Sequence, residues 1–237
     1  MRPSGSARLP GEALPPTSRL WRSCRNVRNK PLRHEDAGRR CQRLALLLKP
    51  AQARRRCRMP ESKKPEPPQF PAGLFVPPET DGADDLEVWI GEVERAPARL
   101  RDAVSCLTDG QLDTMYRRWT IRQIAHHLAD SHLNSYVRFK LALTEERPVI
   151  KPYNESRWSA LVDAQRSGVA ASLAILEGLH SRWAVLLRSL DTEAFERSFY
   201  HPESHENVPL WRALAYYVWH ARHHTAQIEW VKDHKLS

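Results

Sequence analysis

The sequence predicts an all-α protein built as a four-helix bundle. Three observations carry this. Four segments repeat apolar residues at three- and four-residue steps, no run reads convincingly as a strand, and turn or loop signals separate the four segments. At 237 residues the chain has room for one such domain and a tail.

The tail is marked by charge. Residues 1–58 hold 16 Lys and Arg against 3 Asp and Glu, whereas the rest holds 21 against 25. The basic excess therefore belongs to the first quarter, which argues against a nucleic-acid binder. The longest apolar run there, Leu44 to Leu48, is too short for a membrane span of ~20 residues and is followed by Arg54-Arg55-Arg56. Residues 1–58 are expected to be a disordered basic tail, and the abrupt change at Met59 makes that residue the candidate true start. Residues 59–83, rich in proline, read as an extended lead-in to a domain over 84–237. Only Cys106 lies in the body, and there is no CxxC, which fits a reduced, cytoplasmic protein.

The first helical pattern runs from about Asp84 to Cys106, with Leu86, Trp89, Ile90, Val93, Leu100 and Val104 in one stripe. Pro97 interrupts it and is expected to kink or divide the helix. The second helix starts at an N-capping Thr120, whose capping box Gln123 completes, and continues to about Leu143. Ile121, Ile124, Leu128 and Phe139 form its core face. A second line holds Gln123, His127, Asp130 or Ser131, Asn134 and Arg138. Such a stripe is either a solvated face or the lining of a site inside a bundle.

Residues 144–168 make an unusually long connection, suited to a crossover between non-adjacent helices or to a loop bordering a site. The third helix covers about Val169 to Leu190, with Leu173, Leu176, His180, Trp183 and Leu187 as its stripe; His180 reads as packed or hydrogen-bonded. The last helix is expected to begin with Pro209 at its first position and to reach Lys235.

The chemistry concentrates at Trp219-His220-Ala221-Arg222-His223-His224. His220 and His224, four apart on a helix, project side by side and can grip one metal ion; His220 with His223 is sterically open too. A third ligand from another helix makes a catalytic site with one open position. His127 is the best candidate and His126 its competitor. His132 reads as structural, and His201, His205 and His234 as loop or end residues with surface roles. Three imidazoles suit zinc, nickel, copper or iron.

Several blocks, in order, resemble the DinB/YfiT-like superfamily, and most closely its YfiT group, usually described as metal-dependent hydrolases. They are Trp119 to His132, Asn134 to Glu145, Ile150-Lys151-Pro152-Tyr153 and Trp219 to His224. The resemblance covers roughly 71–236. It implies a four-helix bundle with a long crossover between the second and third helices. It also implies one divalent metal per subunit, zinc or nickel, on His127, His220 and His224, and a homodimer.

The main expectation is metal-dependent hydrolysis of a small-molecule substrate, the ion lowering the pKa of bound water to ~7 to give the nucleophile. Arg138 could hold an anion and Asn134 could position substrate; Glu203 and Asp130 are the candidate bases. Thiol S-transfer is the alternative, since some relatives use a low-molecular-weight thiol; the metal would stabilise its thiolate, and Arg138 or Lys140 would bind its carboxylates. A non-catalytic stress protein is the third reading, in which His223 or Glu203 would close the fourth position. No nucleic acid or membrane is expected as a partner.

Overall fold

The structure is a computed structural model that describes residues 65–79 and 85–236. The tail expected over 1–58 and the candidate start at Met59 lie outside the described residues.

Four long helices form the bundle: α1 (Leu86–Val104), α3 (Ile121–Thr144), α6 (Ala170–Arg188) and α8 (Leu210–Val231). Short helices α2 (Asp109–Leu112), α4 (Glu155–Trp158), α5 (Val162–Arg166) and α7 (Thr192–Glu196) lie between them. A π-helical turn, Lys232–Leu236, follows α8. α1 packs on α6 and α8, and α3 packs on the same two, so the order around the bundle is α1, α6, α3, α8.

Two apolar clusters fix the directions. One gathers Ile90, Val93, Phe139, Trp183, Leu187 and Leu214; the other gathers Leu100, Ile121, Ile124, Leu173, Leu176 and Ile228. Each cluster takes the opposite ends of α1 and α3 but the same end of α3 and α6. α3 and α6 are therefore parallel neighbours, and the chain returns along the bundle between them. That return is the crossover, and it joins adjacent helices. Gln123 Nε2 donates to Ser159 O at 2.8 Å, which pins it beside the bundle.

Local chemistry sets the ends. Thr120 and Gln123 form both bonds of a capping box at the start of α3, 3.1 and 2.9 Å long. Arg122 is only 2% exposed and bonds Asp113, Asp109 and the Ser167 carbonyl. At the other end Arg197 donates to the carbonyls of Ala142 and Glu145, which the helix itself leaves free.

Three expectations are corrected. Of the two effects expected of Pro97, division does not occur: α1 is continuous through it. Pro209 is the N-cap of α8, with extended ψ of 152°, and not its first helical residue. Strands do form: β1 (Met115–Tyr116) pairs with β2 (Trp119–Thr120), and β3 (Ser198–His201) with β4 (Glu206–Pro209), both antiparallel. They are too short for a period-2 pattern to show in sequence. Val149 bridges Tyr200 beside the second hairpin and anchors the start of the crossover there.

The proline-rich lead-in is ordered by contact with α8. Trp219 Nε1 donates to Gly73 O at 3.0 Å, Phe70 rests 5.8 Å from the His223 ring, and Phe75 packs edge-on to Tyr216. Gly73 takes a φ of +81°, which residues with a Cβ rarely adopt.

Candidate metal centre

Between the two apolar clusters lies a layer of buried polar side chains, and three of its histidines converge. α3 supplies His127; α8 supplies His220 and His224, one helical turn apart. A ring nitrogen of each lies within 4.8 Å of one from both others, and all three residues are buried. The Nε2 atoms of His127 and His220 are 3.2 Å apart. Two nitrogens ~2.0–2.1 Å from one tetrahedral ion would stand about 3.3 Å apart, so the spacing fits a shared cation. Burial holds His127 down to about 4 and His220 and His224 well below the ordinary imidazole range. At neutral pH the rings are uncharged and have a lone pair to give.

The remaining histidines have other partners. His224 Nδ1 donates to Gln227 Oε1 at 2.8 Å, and Gln227 Nε2 donates to His223 Nε2 at 2.9 Å. His223 stacks on Trp219, so of the two pairings open from spacing, His220 with His224 is the one brought together with His127. His126 faces Ser172 Oγ at 2.7 Å and Ser167 O at 3.1 Å. His132 Nδ1 lies 2.9 Å from His180 Nε2, and His180 Nδ1 lies 2.6 Å from Val93 O. Exposed His205 and His234 bond nearby Tyr200 and Trp230.

Two cavities border the cluster and share Glu155 on their walls. The first, about 380 Å³, is lined by His220, Arg138, Tyr216, Tyr217 and Phe199, and Phe75 of the lead-in walls it. Arg138 Nη1 donates to the Tyr217 hydroxyl at 3.1 Å. Exposed Glu203 also lines it, from the turn between β3 and β4. The second cavity, about 600 Å³, borders His223 and His224 and carries Arg117 and Arg118. Trp119 lines it too, its ring 4.6 Å from that of His127.

Other candidates fall elsewhere. Asn134 lines neither cavity; its amide donates to Asp130 O within α3. Asp130 also lies off both walls, and burial raises its carboxyl. Lys140 is exposed, its ammonium 5.5 Å over the Tyr136 ring. The surface role expected of His201 is corrected. It is half-buried on the first cavity's wall, with no hydrogen-bond partner for Nδ1, and burial lowers its pKa.

Sequence reasoning missed Glu155, the carboxylate that lines both cavities. The residue is exposed overall, but desolvation of its carboxyl at the cavity wall raises it above the usual range against the pull of the Arg138 charge, and the Glu203 charge adds to the rise. It sits at the start of α4 inside the crossover, and the length of that connection was the available signal. Tyr216 and Tyr217 were also missed. Tyr216 keeps part of its ring exposed, and desolvation around its hydroxyl pushes that group up to about 12. Its position four residues before His220 could have found it.

This bundle with a histidine cluster defines a class, and comparison with known proteins names it. Residues 92–228 match the DinB superfamily, and the chain belongs to that superfamily. It is 50% identical over 161 residues to YfiT of Bacillus subtilis (strain 168), covering 67% of this chain and 90% of that protein; the name of that protein proposes a metal-dependent hydrolase. A similarly named protein of Bacillus licheniformis is 47% identical over 163 residues, covering 68% of this chain and 93% of its own. The solved structure of YfiT from Bacillus subtilis, described as having an unusual four-helix bundle topology, matches with a TM-score of 0.68 at 49% identity. The match covers 69% of this chain and 95% of that one. No helix among the described residues is long and apolar enough to cross a membrane.

Proposed function

We propose that this protein is a metal-dependent hydrolase whose divalent ion, zinc or nickel, is held by His127, His220 and His224. The observation that carries the reading is the convergence of three neutral imidazole nitrogens from two helices, two of them 3.2 Å apart. The names of its relatives support it. An open position on the ion is supported by the converging group itself, which among the described residues holds three side chains and includes neither His223 nor Glu203. When bound, the ion supplies Lewis acidity and lowers the pKa of a coordinated water.

The chain's own residues do the rest. The first cavity admits a small substrate to the His220 side of the cluster. Arg138, steadied by Tyr217, holds an anionic group of that substrate. Glu155 accepts and returns a proton, for which a raised carboxyl on the cavity wall is suited. Phe75, Phe199 and Val208 shed water from the walls. Metal analysis of the purified full-length protein beside His127→Ala tests the site: about one ion per chain in the parent and none in the variant is expected. Equal metal content in both would remove His127 from the ligand set.

A specific observation favours a second reading, metal-dependent thiol transfer. A second cavity borders His224, and it carries two arginines that could bind the carboxylates of a low-molecular-weight thiol. Metal-loaded protein incubated with a chlorinated electrophile, with and without small thiols, separates the two. Turnover without thiol supports hydrolysis; strict thiol dependence replaces it with transfer.

A further inference from the structure

The polar layer continues away from the cluster as a single file of side chains. From His220 Nδ1 it is 3.5 Å to His132 Nε2, then 2.9 Å from His132 Nδ1 to His180 Nε2, then 2.6 Å from His180 Nδ1 to the carbonyl of Val93. His220, His132 and His180 are all buried. Among these contacts only the last has a partner of fixed role, because a carbonyl oxygen can only accept.

That carbonyl is free for a reason written in the sequence. Inside an α-helix the Val93 oxygen would accept from the backbone N–H four residues on, and that residue is Pro97, which has none. The proline does not break α1. It leaves one inward-facing acceptor, and His180 of α6 takes it.

The order then propagates. His180 must carry its proton on Nδ1 to donate to Val93, so its Nε2 offers a lone pair. His132 must then donate from Nδ1, which leaves its own Nε2 as acceptor. His220 must donate from Nδ1 in turn, which leaves its Nε2 unprotonated. This is the atom that faces His127 Nε2. A chain of neutral imidazoles has two possible directions, and the fixed acceptor at its end selects one.

We propose that His180 and His132 are positioning residues for the metal centre: anchored on the Val93 carbonyl that Pro97 leaves free, they hold His220 in the tautomer whose Nε2 lone pair points at the ion. The proposal rests on the three-histidine reading above. It extends that reading to residues from α1 and α6, which contribute no ligand. All four bundle helices then have a part in one centre.

The test has two arms. In the metal-free full-length protein, ¹⁵N-resolved imidazole spectra should show His220, His132 and His180 all protonated on Nδ1. An Nε2-protonated form of any of the three overturns the proposal, and this arm needs no variant. In the second arm, zinc(II) alone is titrated calorimetrically into the parent, His180→Leu, His180→Gln and His127→Ala. His180→Leu should weaken zinc binding by 10–100-fold. His180→Gln can accept from His132 and donate to Val93 as the imidazole does, and should recover affinity to within about threefold of the parent. Loss of binding in His127→Ala with full affinity in a folded His180→Leu overturns the positioning role alone. Full affinity in His127→Ala overturns the three-histidine reading itself.

Discussion

The guanidinium of Arg138 on α3 donates to the hydroxyl of Tyr217 on α8 across 3.1 Å, so the cation on the cavity wall is braced by the helix that carries two of the converging histidines. A charged donor held in this way discriminates by charge. Arg138→Gln should raise KM for anionic substrates by about 10–100-fold, the worth of a charge-assisted hydrogen bond, and leave neutral ones little changed. Steady-state kinetics on a matched anionic and neutral pair would check this. An equal loss on both would mean that the arginine acts through the fold.

Glu155→Gln should lower kcat by about 10²–10⁴-fold with little change in metal content. The parent carboxyl, raised by desolvation at the cavity wall, works as a base when deprotonated. Activity is therefore expected to fall as pH drops through its raised pKa, and the acidic limb of the kcat profile should vanish in the variant. A variant that keeps this limb would place the proton carrier elsewhere.

Stability of the metal-free protein should decline on acidification. Burial holds His180 at about 4 in the folded state, against ~6.5 unfolded. Between these values the unfolded chain binds the extra proton, so stability rises with pH. The contribution, of order 3 kcal/mol for this one group, is fully present above ~6.5 and lost as pH falls towards 4. Urea unfolding at pH 7.5, 6 and 5 reads it directly, and His180→Gln should flatten the dependence.

Arg122→Ala should destabilise the fold by about 2 kcal/mol and leave zinc affinity unchanged. The side chain is buried and bonds Asp109, Asp113 and the Ser167 carbonyl, tying the start of α3 to both flanking segments. Denaturant midpoints alongside zinc titration would check both halves of the statement.

Chelation should lower the melting temperature of the loaded protein. At an ion concentration 100 times Kd, binding adds about 2.7 kcal/mol to the folded state. His127→Ala should show no such shift in a thermal scan with and without chelator.

The helices were legible because each buries a stripe of its own. Ile90 and Val93, or Leu173 and Leu176, declare a core face at helical spacing, and Thr120 with Gln123 declares a start. The histidines that converge were legible as an i, i+4 pair and a third in a polar line. What stayed hidden depends on contacts between segments. Glu155 is an ordinary charged residue in a loop until the crossover folds against both cavities. His201 reads as a loop histidine because β3 and β4 are too short to show an alternation. Pro97 reads as a breaker; only the position of His180 shows what its missing donor releases.

His127 and His220 lie 93 positions apart along the chain, on rods joined by way of a third that runs alongside the first. An ion held as proposed above would tie together helices far apart in sequence, unlike in small zinc modules whose ligands are all near neighbours. On that reading a ribosome must have extruded all four bundle helices before a cation could find its full grip. An ion bound as proposed would act as a latch closed on an assembled bundle, and metal scarcity during synthesis should slow maturation less than it weakens the mature product.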